Sequence, residues 1–447
     1  MLPGCNRSCV ELSKDDGDLM TRTIALSRSF SVTPSQKHGA GRSDLLRGYW
    51  PHDFSRVNIG CIRRLPLCLA TSSLALGLPH AFPQQAAEAG ASPPQAGAQR
   101  AARLPDPGTS SQIDMATLDM WSAPYRGWYY FPDPIITSDF RIPGHQQFHN
   151  FDVPTVFQLP DRKGKWFMSF IGFDGSGYNS FVVESTDLIH WTSPRLAMGF
   201  GPTNEFDHGG CVIGAFLYDS YDIKAPRLLK QRDGKYWTLY GCYPRQGGYE
   251  LRPGYEGLAS SQDGLSWTRA RNLPTLSIYD PDCGSWEKDC IYQPWLVEHD
   301  HRFYDFYNAA HGGIEQSGLA VSSDLFTWTR YAANPVIRNH KGGYDERFAS
   351  DPKVFRDGDH WTMFYFGVGK GGAHIMVAFS RDLLHWTAHT EPLYKAGGHP
   401  EGLDSQYAHK ISLVYNPPND TFYMYYCAVG KRGRCIGLIT SRKVEMN

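Results

Sequence analysis

Net charge, metal-type cysteine spacing and long apolar runs are what this sequence has least of. Lys and Arg (44) nearly cancel Asp and Glu (45), leaving -1 over 447 residues. A near-neutral chain lacks the electrostatic footprint for nucleic acid or an anionic membrane surface, so the expected partner is uncharged or modestly charged. Cys211, Cys242, Cys283, Cys290, Cys427 and Cys435 form no Cys-x-x-Cys pair, which argues against a structural zinc site. Cys427 and Cys435 flank an apparent hairpin turn and fit either a disulfide or two buried free thiols.

Only Leu65 to Phe82 approaches the length of a membrane span, and Ser, Thr, Gly and Pro interrupt it. It follows Arg63-Arg64 and leads into Ala81-Phe82-Pro83, so 57–83 reads as the basic, apolar and cleavage regions of a secretory signal rather than a membrane span. The expected location is therefore secreted or periplasmic. Residues 1–56 carry no periodicity and read as an unstructured extension, with the native start expected near Val57. Residues 84–114, rich in Ala, Gln, Pro and Gly, read as a disordered linker.

Aromatics are abundant, at 14 % of the chain, and they fall in a repeat. Ser185-Thr-Asp-Leu-Ile-His-Trp191, Ser261-Gln-Asp-Gly-Leu-Ser-Trp267, Ser323-Asp-Leu-Phe-Thr-Trp328 and Ser380-Arg-Asp-Leu-Leu-His-Trp386 are versions of one motif, and Ser441-Arg442-Lys443 is a truncated fifth. Two short apolar runs precede each copy. The first begins at Pro154, Pro226, Pro294, Pro352 and Lys410, and the second at Lys165, Lys235, Arg302, His360 and Thr421. Short aromatic and β-branched runs that alternate are strands. Each unit is then a four-stranded antiparallel meander, and five of them at a period of roughly 60 residues bury their faces by packing radially around a channel. The expected fold is all-β, a five-bladed β-propeller over 143–447. Its last unit lacks an outer strand, and the 115–142 segment, through Arg126 to Thr137, is expected to supply it and close the ring.

Innermost strands line such a channel, and polar residues at their starts stand out because these positions are otherwise apolar. The aspartates that recur in every turn motif, Asp187, Asp263, Asp324 and Asp382, read as turn formers. Asp152 and Asp351 have no counterpart in the second unit and are candidates for catalysis. His409, at the start of the fifth inner strand, joins them, with Asp289 and Glu401 as further acids. His149, Asn150, Trp286, Gln293, Arg347 and Lys410 are the candidate substrate-binding residues. Clustered carboxyls whose pKa values are pushed apart, with a proton donor opposite, suit cleavage of a glycosidic bond. The pattern requires no cofactor and contains no metal-ligand spacing; a structural Ca2+ in the channel is compatible with these acids but not indicated by them.

Asp351-Pro-Lys-Val-Phe with the following Trp361-Thr-Met-Phe-Tyr365, Asn150-Phe-Asp152-Val-Pro154, and the Ser-x-Asp-Leu-x-x-Trp turns together resemble the five-bladed propeller glycoside hydrolases of families 32, 43, 68 and 117. The resemblance spans about residues 143–443. It implies a carbohydrate substrate, Asp152 as base or nucleophile, and Asp351 as the residue that orients substrate and tunes pKa values. The proton donor is a Glu in most of these enzymes and a His in those similar to family 117, which His409 would match. The chain departs from the family 32 pattern at Phe151 and Val153, which interrupt an Asn-Asp-Pro run, and at Lys288-Asp289-Cys290, which stands where Glu-Cys-Pro would be expected. Other outcomes of the same architecture are a carbohydrate-binding propeller without catalysis, and phosphorolysis or transglycosylation, for which Lys224, Arg227, Arg347 and Lys410 could serve a phosphate.

Overall fold

The computed structural model describes residues 112–444 except 138, 139, 146, 147 and 149. The signal-like segment, the extension before it and His149 lie outside the described residues.

The chain opens with helix α1 (Met115–Ser122), capped by the Asp114 carboxylate on Thr117 N at 2.7 Å. The last residues of the expected linker are thus ordered, and Ile113 N also bonds Thr387 Oγ1. A short strand follows, β1 (Tyr129–Tyr130).

Five antiparallel groups come next. The first is β2 (Asn150–Phe157), β3 (Trp166–Phe173), β4 (Tyr178–Ser185) and β5 (Thr192–Met198). The second is β6 (Gly210–Phe216), β7 (Gln231–Arg232), β8 (Lys235–Tyr243), β9 (Tyr255–Ser261) and β10 (Thr268–Arg269). The third is β11 (Cys290–His299), β12 (Arg302–His311), β13 (Ile314–Ser322) and β14 (Thr329–Arg330). The fourth is β15 (Phe348–Asp357), β16 (His360–Gly369), β17 (Gly372–Ser380) and β18 (Thr387–Ala388). The last is β19 (Tyr407–Asn416), β20 (Thr421–Gly430) and β21 (Gly433–Thr440), with β1 paired to β21 through Tyr129–Thr440 and Tyr130–Ile439.

The first strands of the groups lie side by side: β2 against β6 and β19, β11 against β6 and β15, and β15 against β19. The fold is all-β and of the β-propeller kind. No helix among the described residues is long and apolar enough to cross a membrane.

One expected strand is corrected. The inner strand of the second group is β6, not the run from Pro226. That run lies in an insertion between β6 and β8, where the buried Arg227 guanidinium donates to the carbonyls of Asp222 (2.8 Å) and Ile223 (2.9 Å). Its Pro-apolar spelling imitates an inner strand, while Cys211-Val-Ile-Gly-Ala-Phe216 forms one.

The repeated aspartates make turns. Asp187, Asp263 and Asp324 each accept two backbone N–H bonds at 2.8 Å, and Asp382 two at 2.9 Å. A second repeat fastens the approach to an inner strand onto its own group: Tyr240, Tyr307, Tyr365 and Tyr426 donate their hydroxyls to Asp207, Glu287, Asp345 and Asp404 at 2.9–3.1 Å. All four acids are buried and belong to the segment leading into an inner strand. Phe170 takes the tyrosine's place in the first group.

Each inner strand is interrupted by a β-bulge, between Asp152 and Thr155, Ile213 and Ala215, Tyr292 and Trp295, Ser350 and Lys353, and His409 and Ser412. The bulged residues Val153, Gln293, Asp351 and Lys410 have φ of 52°, 55°, 57° and 53°. Gly214 fills the same place in β6, where a Cβ would meet Thr155 Oγ1 at 2.7 Å. A left-handed non-glycine residue costs on the order of 1–3 kcal/mol and persists only where its surroundings fix it. Here the bulge re-aims one side chain in each inner strand except β6, where the residue is Gly214.

Candidate active site

Two of those re-aimed side chains, and the residues just before them, build the centre of the site. Asp152, on β2, is 1 % exposed. Its Oδ1 accepts from Val153 N at 2.8 Å, and its Oδ2 from Lys410 Nζ at 2.9 Å and Arg434 Nη1 at 2.6 Å, with the Tyr249 hydroxyl at 3.5 Å. Burial alone would raise this carboxyl, but the Lys410 ammonium and Arg434 guanidinium hold it well below the usual carboxylate range.

His409 stands beside it, its ring nitrogen in a group with an Asp152 oxygen and Cys427 Sγ in which all lie within 4.8 Å. Its Nδ1 is 2.9 Å from the Cys427 carbonyl, which can only accept. Nδ1 therefore carries the proton and Nε2 faces Arg434 Nη1 at 3.5 Å. Burial drives the imidazole pKa down to about 3; the Asp152 charge opposes this, and the charges of Arg434 and Lys410 add to it. A histidine held neutral this firmly has no proton to give at neutral pH. Asp351 is also buried, one oxygen on Lys353 Nζ at 2.6 Å and the other unpartnered among the described residues. Burial raises its pKa against the Lys353 charge, and the charges of Lys410 and Asp152 reach it as well.

Two glutamates that the sequence did not single out come to the same place. Glu315 is the second residue of β13 and is 4 % exposed. Its Oε2 accepts from Ser350 Oγ at 2.7 Å, a further bond comes from the Tyr292 hydroxyl, and Arg252 Nη2 is 3.9 Å from Oε1. Burial raises the Glu315 pKa, the hydrogen bonds and Arg252 oppose it, and the Glu250 charge adds to the rise. Glu250 lies on the β8–β9 connection with φ of 50°. Its charge acts on Tyr178 of the first group, Tyr292 and Glu315 of the third, and Lys410 and Arg434 of the fifth. Glu250 therefore lies near residues of three groups at once. Both glutamates follow a diglycine, in Gly247-Gly-Tyr-Glu250 and Gly312-Gly-Ile-Glu315, a spelling that could have revealed them.

The other expected residues divide. Lys410 is in the centre as a partner of Asp152, and Gln293 is buried at the matching bulge of β11. Asn150 begins β2. Asp289 accepts from Gly312 N at 2.8 Å and His311 Nδ1 at 3.0 Å and sits 3.8 Å from Arg252. Against its partial burial these partners lower its pKa, and it ties the β12–β13 turn to the loop of Glu250. Glu401 is not brought to the centre: its exposed carboxylate pairs with Lys431. Trp286 stacks on Tyr307 with ring centroids 6.1 Å apart, in the apolar cluster of Leu276, Ile291 and Ala320. Arg347 is exposed, its guanidinium over the Phe348 ring. Cys427 and Cys435 are both free and buried; Cys435 lies opposite Ala428 in the β20–β21 register, so the two thiols face opposite sides of the sheet.

Asp152, His409 and Cys427 are the one group of metal-ligating side chains among the described residues close enough to share an ion. Arg434 Nη1 stands among all three, 3.3 Å from Cys427 Sγ. A calcium ion, which takes oxygen ligands, does not fit this donor set.

Two levanases are similar to parts of the chain. That of Bacillus subtilis (strain 168) is 31 % identical over 180 residues, covering 37 % of this chain and 24 % of the levanase. That of Bacillus sp. (strain L7) is 38 % identical over 96 residues, 19 % of this chain and 10 % of the levanase. The chain thus spans a quarter or less of the curated relatives it matches. Among solved structures, one described as a BT0996 RGII complex superposes with a TM-score of 0.60 at 26 % identity, covering 71 % of this chain and 94 % of that one. A second, described as a glycoside hydrolase, has a TM-score of 0.60 at 23 % identity over 75 % and 97 % of the two chains. The model of the glycosyl hydrolases family 32 N-terminal domain matches residues 181–404, a stretch that contains Glu250, Glu315 and Asp351. That match takes in half of the sequence, and the chain belongs to the family of the glycosyl hydrolases family 32 N-terminal domain.

Proposed function

We propose that this protein is a glycoside hydrolase that cleaves oligo- or polysaccharides at the mouth of a five-bladed propeller, with Glu315 as the proton donor. The observation that carries this reading is the state of Glu315: a buried carboxyl whose pKa burial and the charge of Glu250 raise, hydrogen-bonded to Ser350 and with Arg252 3.9 Å away. Glycosidic cleavage needs one carboxyl that carries a proton and a second carboxylate, and the raised pKa of Glu315 suits it to the first role. Glu315 gives its proton to the leaving oxygen. The Glu250 carboxylate is the group opposite, acting on the anomeric carbon directly or through a water.

Asp152 takes a different role from the one first expected of it. With both oxygens engaged by Val153 N, Lys410 and Arg434, it anchors two cations at the floor of the channel and does not turn over with substrate. The five strand groups serve as five blades; contacts of each inner strand with the next, and of β19 with β2, support that count. Export, inferred from the 57–83 segment, completes the proposal and is checked by N-terminal sequencing of the mature protein.

A panel of chromogenic glycosides, levan and plant oligosaccharides, assayed with wild type and Glu315→Gln, tests the reading. Turnover by wild type that the variant loses is the expected result. Sugar binding without turnover by wild type, or full activity in Glu315→Gln, would remove it.

A further inference from the structure

The nitrogen that joins Asp152, His409 and Cys427 occupies the position of an ion. Arg434 Nη1 is 2.6 Å from Asp152 Oδ2, 3.3 Å from Cys427 Sγ and 3.5 Å from His409 Nε2. The three donor atoms lie within 4.8 Å of one another, on side chains that are all buried. Carboxylate, imidazole and thiol make a donor set for zinc, with bonds of about 2.0–2.3 Å, and not for calcium or magnesium.

The surroundings are already those of a ligand site. His409 Nδ1 donates to the Cys427 carbonyl at 2.9 Å, which fixes the tautomer whose Nε2 lone pair points at Arg434. A backbone carbonyl holding the far nitrogen is the usual outer support of a metal-bound histidine. Charge balances as well. The guanidinium contributes one positive charge; Zn2+ that displaces the Cys427 thiol proton, released to solvent, also contributes a net one. Other charged groups near the cluster are Asp351, Glu250 and Lys410, the last paired with Asp152, and the Tyr249 ring lies 5.9 Å from the guanidinium carbon.

We propose that Arg434 is a built-in cation, a positioning residue seated in an Asp152–His409–Cys427 site that takes a zinc ion once the guanidinium is removed. The wild-type chain thereby holds Asp152 in place without dependence on a dissociable metal.

The experiment is titration of purified Arg434→Ala with ZnCl2 by calorimetry and thermal unfolding, beside wild type and Arg434→Ala/Cys427→Ser. The expected result is one Zn2+ bound per Arg434→Ala chain with a rise in its melting temperature, and no such binding by wild type or the double variant. Arg434→Gln, which drops the charge but keeps a shorter polar side chain, replaces the alanine variant if the latter does not fold. A folded Arg434 variant that binds no zinc, a double variant that binds as well as the single one, or zinc uptake by wild type at the same site would each overturn the proposal. Zinc uptake is measured without substrate, so its outcome stands apart from whether Glu315 donates a proton.

Discussion

The Ser350 hydroxyl donates to Glu315 Oε2 at 2.7 Å across the boundary between two neighbouring strand groups. Ser350 sits on β15 just before its bulge, and Glu315 is near the start of β13, so the group that is to give up a proton is held by the inner strand of the next unit. A hydroxyl donating to a carboxyl favours its ionised form.

Ser350→Ala removes that preference, so the Glu315 pKa rises further. The alkaline limb of the pH–activity profile, where Glu315 loses its proton, is expected to move to higher pH. Glu315→Gln removes the proton itself, and kcat is expected to fall by about 10^2 to 10^4. The loss should be smallest on substrates with an acidic leaving group, which need little protonation. A comparison of nitrophenyl and alkyl glycosides checks this, and equal losses on both would count against a proton-donor role.

Asp152→Asn leaves Lys410 and Arg434 facing each other at a buried position with their shared counter-charge gone. Breaking a buried pair by removing one partner costs about 3–5 kcal/mol. Chemical denaturation is expected to show a loss of this order. A change under about 1 kcal/mol would mean that water reaches the two cations.

Glu256 on β9 and Asp305 on β12 are fully buried carboxyls of the second and third groups, and none of their four oxygens makes a well-formed hydrogen bond among the described residues. Burial raises both pKa values, and that of Asp305 reaches about 7 despite the help of Glu256, the Trp295 backbone and Arg330; Glu287 is the other charge near Glu256. Folding therefore favours the protonated acids. The stability they contribute is complete below the ordinary carboxylate range, near pH 4, and is lost as the pH rises through about 7. Asp305→Asn is expected to flatten the decline in melting temperature between pH 5 and about pH 8; a decline as steep as that of wild type would assign it to other groups.

Deleting residues 112–137 uncovers the outer edge of β21, which now pairs with β1 and receives the Ile136–Ile436 bridge. It also removes Tyr125, whose hydroxyl reaches Asp357 of the fourth group at 2.5 Å. An unpaired strand edge invites association with another chain. The truncated protein is expected to melt lower and to self-associate in light scattering. A monodisperse product with wild-type stability would show that the strap is dispensable.

The repeat made the fold legible, because a turn aspartate, its leucine and its tryptophan recur wherever a third strand meets a fourth. The same logic failed at Pro226, where an insertion between β6 and β8 spells like an inner strand while its backbone is spent on a buried arginine. The acids that lead into the inner strands were harder to sort. Glu287, in the approach to the third inner strand, accepts from Tyr307, as Asp207, Asp345 and Asp404 accept from their own tyrosines. Asp152 was found because it breaks the repeat. Glu250 and Glu315 were missed because they sit on connections between second and third strands, away from the inner-strand starts where polar residues stand out. Arg434 has no sequence signal of its own; only the fold brings it to Asp152, 282 residues earlier.

The bulges at Val153, Gly214, Gln293, Asp351 and Lys410 turn chain position into an address. Residues one step before them, such as Asp152, Ser350 and His409, meet a different set of neighbours from residues upon them. A single residue inserted between the start of an inner strand and its bulge would hand each address to the wrong side chain, placing Asp152 where Val153 stands. Insertions such as the one holding Arg227 fall outside this stretch. Divergence within this architecture is therefore expected to proceed by substitution within inner strands and by length change everywhere else.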